Sequence, residues 1–443
     1  MRKRLKFYML FLCFAFPFAA SSQPMALSLD EALKLAEENN LNTKSAEARQ
    51  IAARSSYRMT NSLLLPGLSV SHTGISTNDP LSAFGFKLKQ ERVTQADFDP
   101  SNLNDPAVIE NFNTKIEVQQ PLLNLDGIYA RKAAKNQYEA MSLQTTRVKQ
   151  NIRYEVKKAY YLLQLTKSSV EVLQQSVNVA EEALKLTEQN ELQGFVKHAD
   201  VLEAAVRVQE RQNQLREVEN QYESANEYVA HLLGLELSTR ITPTDSMVQN
   251  PMQVHLNFTQ NGIENRSDMK AYQKQIEAGE NMVRSEKMKF IPKVNAFGGY
   301  EWNDRKFLGT SANNYMVGAS LSWNLFSGYK NVGSVQRARA QLDEARLNYQ
   351  DYLSQSQIQI NNVKRRLNLN YQQIKSSKLA KEQTEESLRI RTDRFKQGLE
   401  KATDLLRSEA LSSQKNLEYI QSIYNYQQAV FEMELLLEEN INK

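Results

Sequence analysis

The sequence predicts a mainly helical chain, built as an internal duplicate, whose few β-strands are suited to lie in a membrane. Three observations carry this prediction: a plan repeated at offsets of 201 to 226 residues, long stretches of apolar residues at 3,4 spacing, and short runs of strict alternation in each half.

The 443 residues are 41% hydrophobic and 24% charged, with a single cysteine, which are the proportions of a folded chain without a disulfide scaffold. The chain opens with Arg2, Lys3, Arg4 and Lys6, runs through the apolar stretch Phe7 to Phe18, and reaches Ala19-Ala20-Ser21-Ser22. That order reads as a secretory signal peptide over 1–22, cleaved after Ala20 or Ser22. Leu12 stands before Cys13 where a lipoprotein needs a small residue, so a lipid-free, cysteine-free mature protein is expected. Without the four basic residues, 51 Lys and Arg face 51 Asp and Glu. A neutral chain has no field to draw nucleic acid or a basic partner. No run of the roughly 18 apolar residues that a spanning helix needs follows Ser22, so insertion into a membrane must be by strands.

The duplication shows in three places. Leu65-Pro66-Gly67-Leu68 is echoed by Ile291-Pro292-Lys293-Val294, Asp126-Gly127 by Ser327-Gly328, and Gly194 with Asp200 by Gly398 with Asp404. The first half carries 25 extra residues (226 − 201), which fall around 77–111 and read, from their Asp-Pro, Asn and Gly content, as a long loop. Its Phe84-Gly85-Phe86 reads as a cluster that packs this loop.

Each half holds two alternating runs, near 66–76 and 111–121, then near 292–303 and 313–326. Tyr315, Val317, Ala319, Leu321, Trp323 and Leu325 alternate with mostly polar residues, as do Phe112, Ile116 and Val118. Val294, Ala296, Tyr300 and Trp302 share a face, as do Leu68 and Val70. A soluble sandwich would also pair such faces, but four strands in two separated hairpins make a poor one. Exported strands of about ten residues with one apolar face fit a transmembrane barrel, with Tyr300, Trp302, Tyr315 and Trp323 at the interfaces. Four strands cannot close, and open edges in lipid cost several kcal/mol per unpaired backbone group. Two copies would give 8 strands and three would give 12.

Helical patterns fill the rest. Apolar seams run through Val170, Leu173, Val177, Ala180 and Leu184, then Val201, Ala205, Val208, Leu215, Tyr222, Ala225 and Val229. The second half repeats them with Ile360, Val363, Leu367 and Ile374 going out and Leu417, Tyr424, Phe431 and Leu435 returning. Some 60 residues of unbroken helix reach roughly 90 Å, a length that suits crossing a gap.

Catalytic chemistry is missing from the pattern. His72, His198, His231 and His255 have no ligand spacing, and there is no phosphate-cradling loop, nucleophile elbow or marked carboxylate pair. No enzyme activity, cofactor or metal is expected. The basic clusters Lys364-Arg365-Arg366 and Arg389 to Lys396 are interrupted at helical spacing and read as solvated helix faces.

The chain resembles the TolC-like outer-membrane efflux proteins over essentially all of its mature length. The resemblance rests on Leu29-Asp30-Glu31-Ala32-Leu33 with Asn39-Asn40, the Leu-Pro-x-Leu turn into a strand, Gln120-Pro121-Leu122-Leu123 with Asp126-Gly127, and the repeated Gly-x5-Asp-x-Leu. It implies a homotrimer in the outer membrane of a Gram-negative bacterium, with a 12-stranded barrel continued by a helical tunnel through the periplasm. It also implies docking on a periplasmic adaptor (membrane fusion) protein and an inner-membrane pump, in a tripartite efflux or type I secretion system. The domain plan is then a first repeat over 23–235, an equatorial linker over 236–265, a second repeat over 266–437 and a tail over 438–443.

Within that resemblance the periplasmic constriction falls on the second helical turn, at Phe395, Gly398 and Asp404, with Gly194 and Asp200 equivalent in the first repeat. Glu400 and Arg407 occupy positions where some members carry Arg and Asp, so the charges are swapped. Asp404 either begins the returning helix, as Asp200 does, or forms a ring of carboxylates bonded between copies with Glu400, Lys401 and Arg407. The competing class is an exported trimeric coiled coil or adhesin with a β anchor and no conducting pore.

Overall fold

A computed structural model describes residues 25–245 and 261–439. The expected signal peptide, residues 246–260 of the expected linker and 440–443 of the tail lie outside the described residues.

The chain runs β1 (Met25–Leu27), α1 (Leu29–Asn39), α2 (Leu41–Met59), β2 (Gly67–Thr77), α3 (Pro80–Lys89), α4 (Pro100–Asn104) and β3 (Ile109–Leu123). It continues with α5 (Leu125–Leu192), α6 (His198–Leu233), β4 (Ile241–Pro243), α7 (Asn261–Glu264) and α8 (Ser267–Met288). It ends with β5 (Lys293–Asp304), β6 (Ala312–Ser322), α9 (Lys330–Lys396) and α10 (Ala402–Leu437). The described residues fall into two compact units, one from 25–41, 152–245 and 366–431, the other from 42–151, 261–365 and 432–439.

The second unit holds a four-stranded antiparallel sheet in the order β2-β3-β5-β6. Its register aligns Val70 with Ile116, Ile116 with Tyr300, and Tyr300 with Tyr315, so the apolar sets read from the sequence share one face. That face is bare: Leu68 is 70% exposed and Val317 78%. β6 ends at Ser322, short of the expected 326, because the Trp323 indole N–H leaves the sheet and donates to the Phe290 carbonyl at 3.0 Å.

The stretch 77–111 is not the irregular loop expected. It contains α3, a 3-10 turn at Gln95–Phe98, and α4. Asp79 accepts from Ser82 N at 2.8 Å ahead of Pro80, and Asp99 accepts from Ser101 N at 2.9 Å ahead of Pro100. An Asp-Pro pair that reads as a turn is equally an N-cap followed by proline at the first helical position. Lys87 Nζ lies 2.6 Å from Asp97 Oδ1, and Phe84 meets Phe98 edge-on at 5.5 Å, so the insert has its own small core.

The long helices come out as the apolar seams require. α5 has 68 residues and α9 has 67, each about 100 Å long, and α6 and α10 have 36 each. The seam of α6 runs through Val201, Ala204, Val208 and Leu215, so Ala204 takes the place expected of Ala205, which is exposed. Spacing of three and then four residues keeps one heptad seam, and Ala204 satisfies it. In the first unit, β1 and β4 pair in parallel, and Tyr160 Oη donates to the Leu27 carbonyl at 2.8 Å.

One feature of the second unit was not foreseen. Arg266 is 1% exposed, and its guanidinium grips both oxygens of Asp268, which also accepts from Tyr352 Oη at 2.8 Å and lies 3.1 Å from Arg147 Nε. Arg147 reaches Glu438 at 3.1 Å, and Glu438 accepts from Ser267 N at 2.9 Å. This fastens α5, α8, α9 and the end of α10 together. Burial alone would raise the Asp268 carboxyl, but the bonds and charges of Arg266 and Arg147 outweigh it and hold it below its ordinary 3.8. A depressed carboxyl contributes stability above the unfolded value and loses it as pH falls through the folded one. Asp268→Asn should cost about 3 kcal/mol at pH 7. In thermal melts it should also flatten the loss of stability that the native protein shows below pH 3.8.

Candidate functional site

The two helical turns, both in the first unit, bring the repeated motif residues into equivalent geometry. Gly194 and Gly398 have φ of +76° and +73°, the left-handed region that lets each chain reverse after a long helix. Phe195 N bonds to the Asn190 carbonyl and Leu399 N to the Arg394 carbonyl, both at 2.9 Å, closing the same turn twice.

Beyond the glycines the repeats diverge. Asp200 Oδ2 accepts from Lys197 N at 3.0 Å and so satisfies the start of α6. Asp404 stands in the first turn of α10 but is exposed, and its carboxylate makes no hydrogen bond or ion pair among the described residues. Arg407 is likewise exposed and unpaired among them.

Two expected constriction residues are engaged inside the chain. Glu400 is bonded by Arg391 and by Arg394 Nε, the latter at 3.0 Å, so α9 of the same chain balances its charge. Phe395 is buried among Ala180, Ala183, Ala204, Val208, Leu405 and Leu406, where it forms the core of the tips. An aromatic at a seam position packs inward because that is the apolar stripe the helix turns to its neighbours.

Sequence reasoning missed Glu409, which is 3% exposed and lies 3.5 Å from Arg211 Nε across α6 and α10. Burial pushes its carboxyl above the usual range, against the pull of Ser176 and Arg211. Acidification therefore favours the folded state at Glu409, opposite in sign to Asp268. The signal was available: Glu409 sits four residues after Leu405, at a seam position where an apolar residue belongs. Beside it, Ser176, Ser413 and Asn416 line a groove of about 350 Å³ bounded by α5, α9 and α10, in which the Ser413 hydroxyl has no hydrogen-bond partner among the described residues.

The described residues hold no group of three or more His, Cys, Asp or Glu that could bind a metal, and no helix among them is long and apolar enough to cross a membrane. The sequence matches the outer membrane efflux protein family over 32–235 and 259–437, which is most of the chain. The chain belongs to that family. This efflux protein is a transport conduit and not an enzyme. No curated relative matches its sequence.

Solved structures similar to the efflux protein share its fold at low identity. The Campylobacter jejuni CmeC outer membrane channel has a TM-score of 0.81 and 14% identity, covering 93% of this chain and 86% of its own. The outer membrane protein VceC of Vibrio cholerae has a TM-score of 0.75 and 16% identity, covering 94% and 97%. The open-state MtrE outer membrane channel of Neisseria gonorrhoeae has a TM-score of 0.75 and 14% identity, covering 93% and 89%.

The geometry separates capping from other roles. Asp200→Ala should cost about 1 kcal/mol through the lost bond at the start of α6, and Asp404→Ala close to nothing. A Cβ on Gly398 meets nothing within 4 Å, so Gly398→Ala should cost only the left-handed strain of about 1 to 2 kcal/mol. Chemical denaturation of the three variants checks both statements.

Proposed function

We propose that three copies form the outer-membrane duct of a tripartite efflux or type I secretion system. Each copy gives four strands to a 12-stranded barrel, and the long helices continue as a tunnel into the periplasm. The observation that carries this reading is the sheet itself, which presents an apolar exposed face and, among the described residues, two unpaired edges, β2 and β6. Apolar side chains turned to lipid put the polar face, with Asn113, Lys115, Glu117 and Glu301, around a water-filled lumen. Transport is passive, down the path opened by an inner-membrane pump.

A periplasmic adaptor would dock on the helical unit. The groove favours this, since Gln175, Arg389, Asp393 and Asn416 on its walls offer polar groups to an incoming helix. The free carboxylate of Asp404 becomes three under threefold symmetry, a ring that favours cations.

Planar-bilayer recording tests the reading. The protein should give discrete, cation-preferring single-channel currents. Asp404→Ala should raise conductance and weaken the preference, and Asp200→Ala should do less. Absence of any current from intact trimers would favour the structural coiled coil with a β anchor.

A further inference from the structure

The insert between β2 and β3 lies against the polar face of the sheet. Lys89 Nζ, at the end of α3, is 2.9 Å from Glu301 Oε1, and Gln90 Nε2 donates to Asn111 Oδ1 at 2.9 Å and to the Glu110 carbonyl at 2.8 Å. Asn111 in turn donates to Asn303 Oδ1 at 3.0 Å, and both amides are buried. Ala83 of α3 is 0% exposed. Asn111, Glu301 and Asn303 all project from the polar face, at the end of the strands remote from α2 and α5. An open extracellular loop would leave these groups to water.

We propose that α3 is a size-setting gate at the outer mouth of the pore, fastened to the lumenal wall by Lys89–Glu301 and Gln90–Asn111. The proposal rests on the channel reading above, which makes the polar face the lumen. Twelve strands about 4.8 Å apart, tilted about 40°, enclose a barrel roughly 24 Å across between backbones. A helix with its side chains is about 10 Å thick, so three copies of α3 inside that wall leave room for little more than small solutes. Large cargo therefore has to displace α3. The fastening suits this, because Lys89 is half exposed and its ion pair can open without unfolding the sheet.

Access from outside tests the gate independently of the helical tips. Ser320, exposed on the polar face of β6 near the opposite end of the strands, is replaced by cysteine in a Cys13→Ser background. Intact cells are treated with a small cationic thiol reagent or a bulky polyethylene-glycol maleimide, with Thr310→Cys in the β5–β6 turn as the outer control. The small reagent should label Ser320→Cys, and the bulky one only slowly. Lys89→Ala or Glu301→Gln should speed the bulky reagent up to about fivefold. Replacing 80–104 by a short Gly-Ser linker should remove the exclusion, and in the otherwise intact chain the exchanged pair Lys89→Glu with Glu301→Lys should restore what either point variant loses. Equal bulky labelling with and without 80–104, while the small reagent still enters, overturns the gate and leaves the channel standing. Unchanged bulky labelling in both point variants overturns the fastening. Failure of even the small reagent in every variant, with Thr310→Cys labelled, overturns the channel and the gate together.

Discussion

A strand edge left open in lipid has nowhere to send its backbone hydrogen bonds, and that constraint governs the rest of the molecule. β2 and β6 have 11 residues each, and roughly half of their N–H and C=O groups point away from the single neighbour each strand has. At several kcal/mol for each group, one open edge would cost tens of kcal/mol, well above the 5 to 15 kcal/mol that holds a typical domain together. In the proposed duct the sheet therefore belongs in a closed ring with other copies. Once it closes, the apolar face meets lipid, the polar face lines a lumen, and any segment resting on the polar face stands in the path of transport.

The helical part meets a different demand. Long amphipathic helices with uniform seams slide past one another unless something fixes their register, and buried polar groups at seam positions are the best-attested device for doing so. Arg266, Asp268, Arg147 and Glu438 supply one such point in the unit that holds the sheet, and Arg211 with Glu409 another in the unit that holds the turns. At the tips themselves, Glu400 is committed to Arg391 and Arg394, which leaves Asp404 and Arg407 as the exposed charges of the second turn. The second turn thus holds one acid in a clamp inside the chain and leaves another without a bond among the described residues.

Much of this was legible in the sequence, and the reasons are physical. Period-2 alternation in Tyr315 to Leu321 and seam spacing in Val170 to Leu184 survive because each encodes one buried or lipid-facing surface over many residues. Gly194 and Gly398 were legible because a tight reversal after a long helix needs a residue free to adopt positive φ. The helices at Pro80 and Pro100 were not, since Asp-Pro serves turns and helix starts alike and only a packing surface decides between them. The inward packing of Phe395 was not legible for a related reason: motif spacing locates a residue along the chain but not the side of the helix it packs on. The Arg266 cluster joins positions as far apart as 147 and 438, a pairing that no local pattern announces.

In the proposed duct the two sheet edges meet between copies. Replacing Val70 on β2 and Val317 on β6 by cysteine, with neighbouring positions on each strand scanned for register, and oxidising the protein in its membrane tests this directly. At least one register should yield disulfide-linked dimers and then a closed covalent trimer. Membrane-inserted protein that stays monomeric in every register, or stops at a covalent dimer, would contradict it.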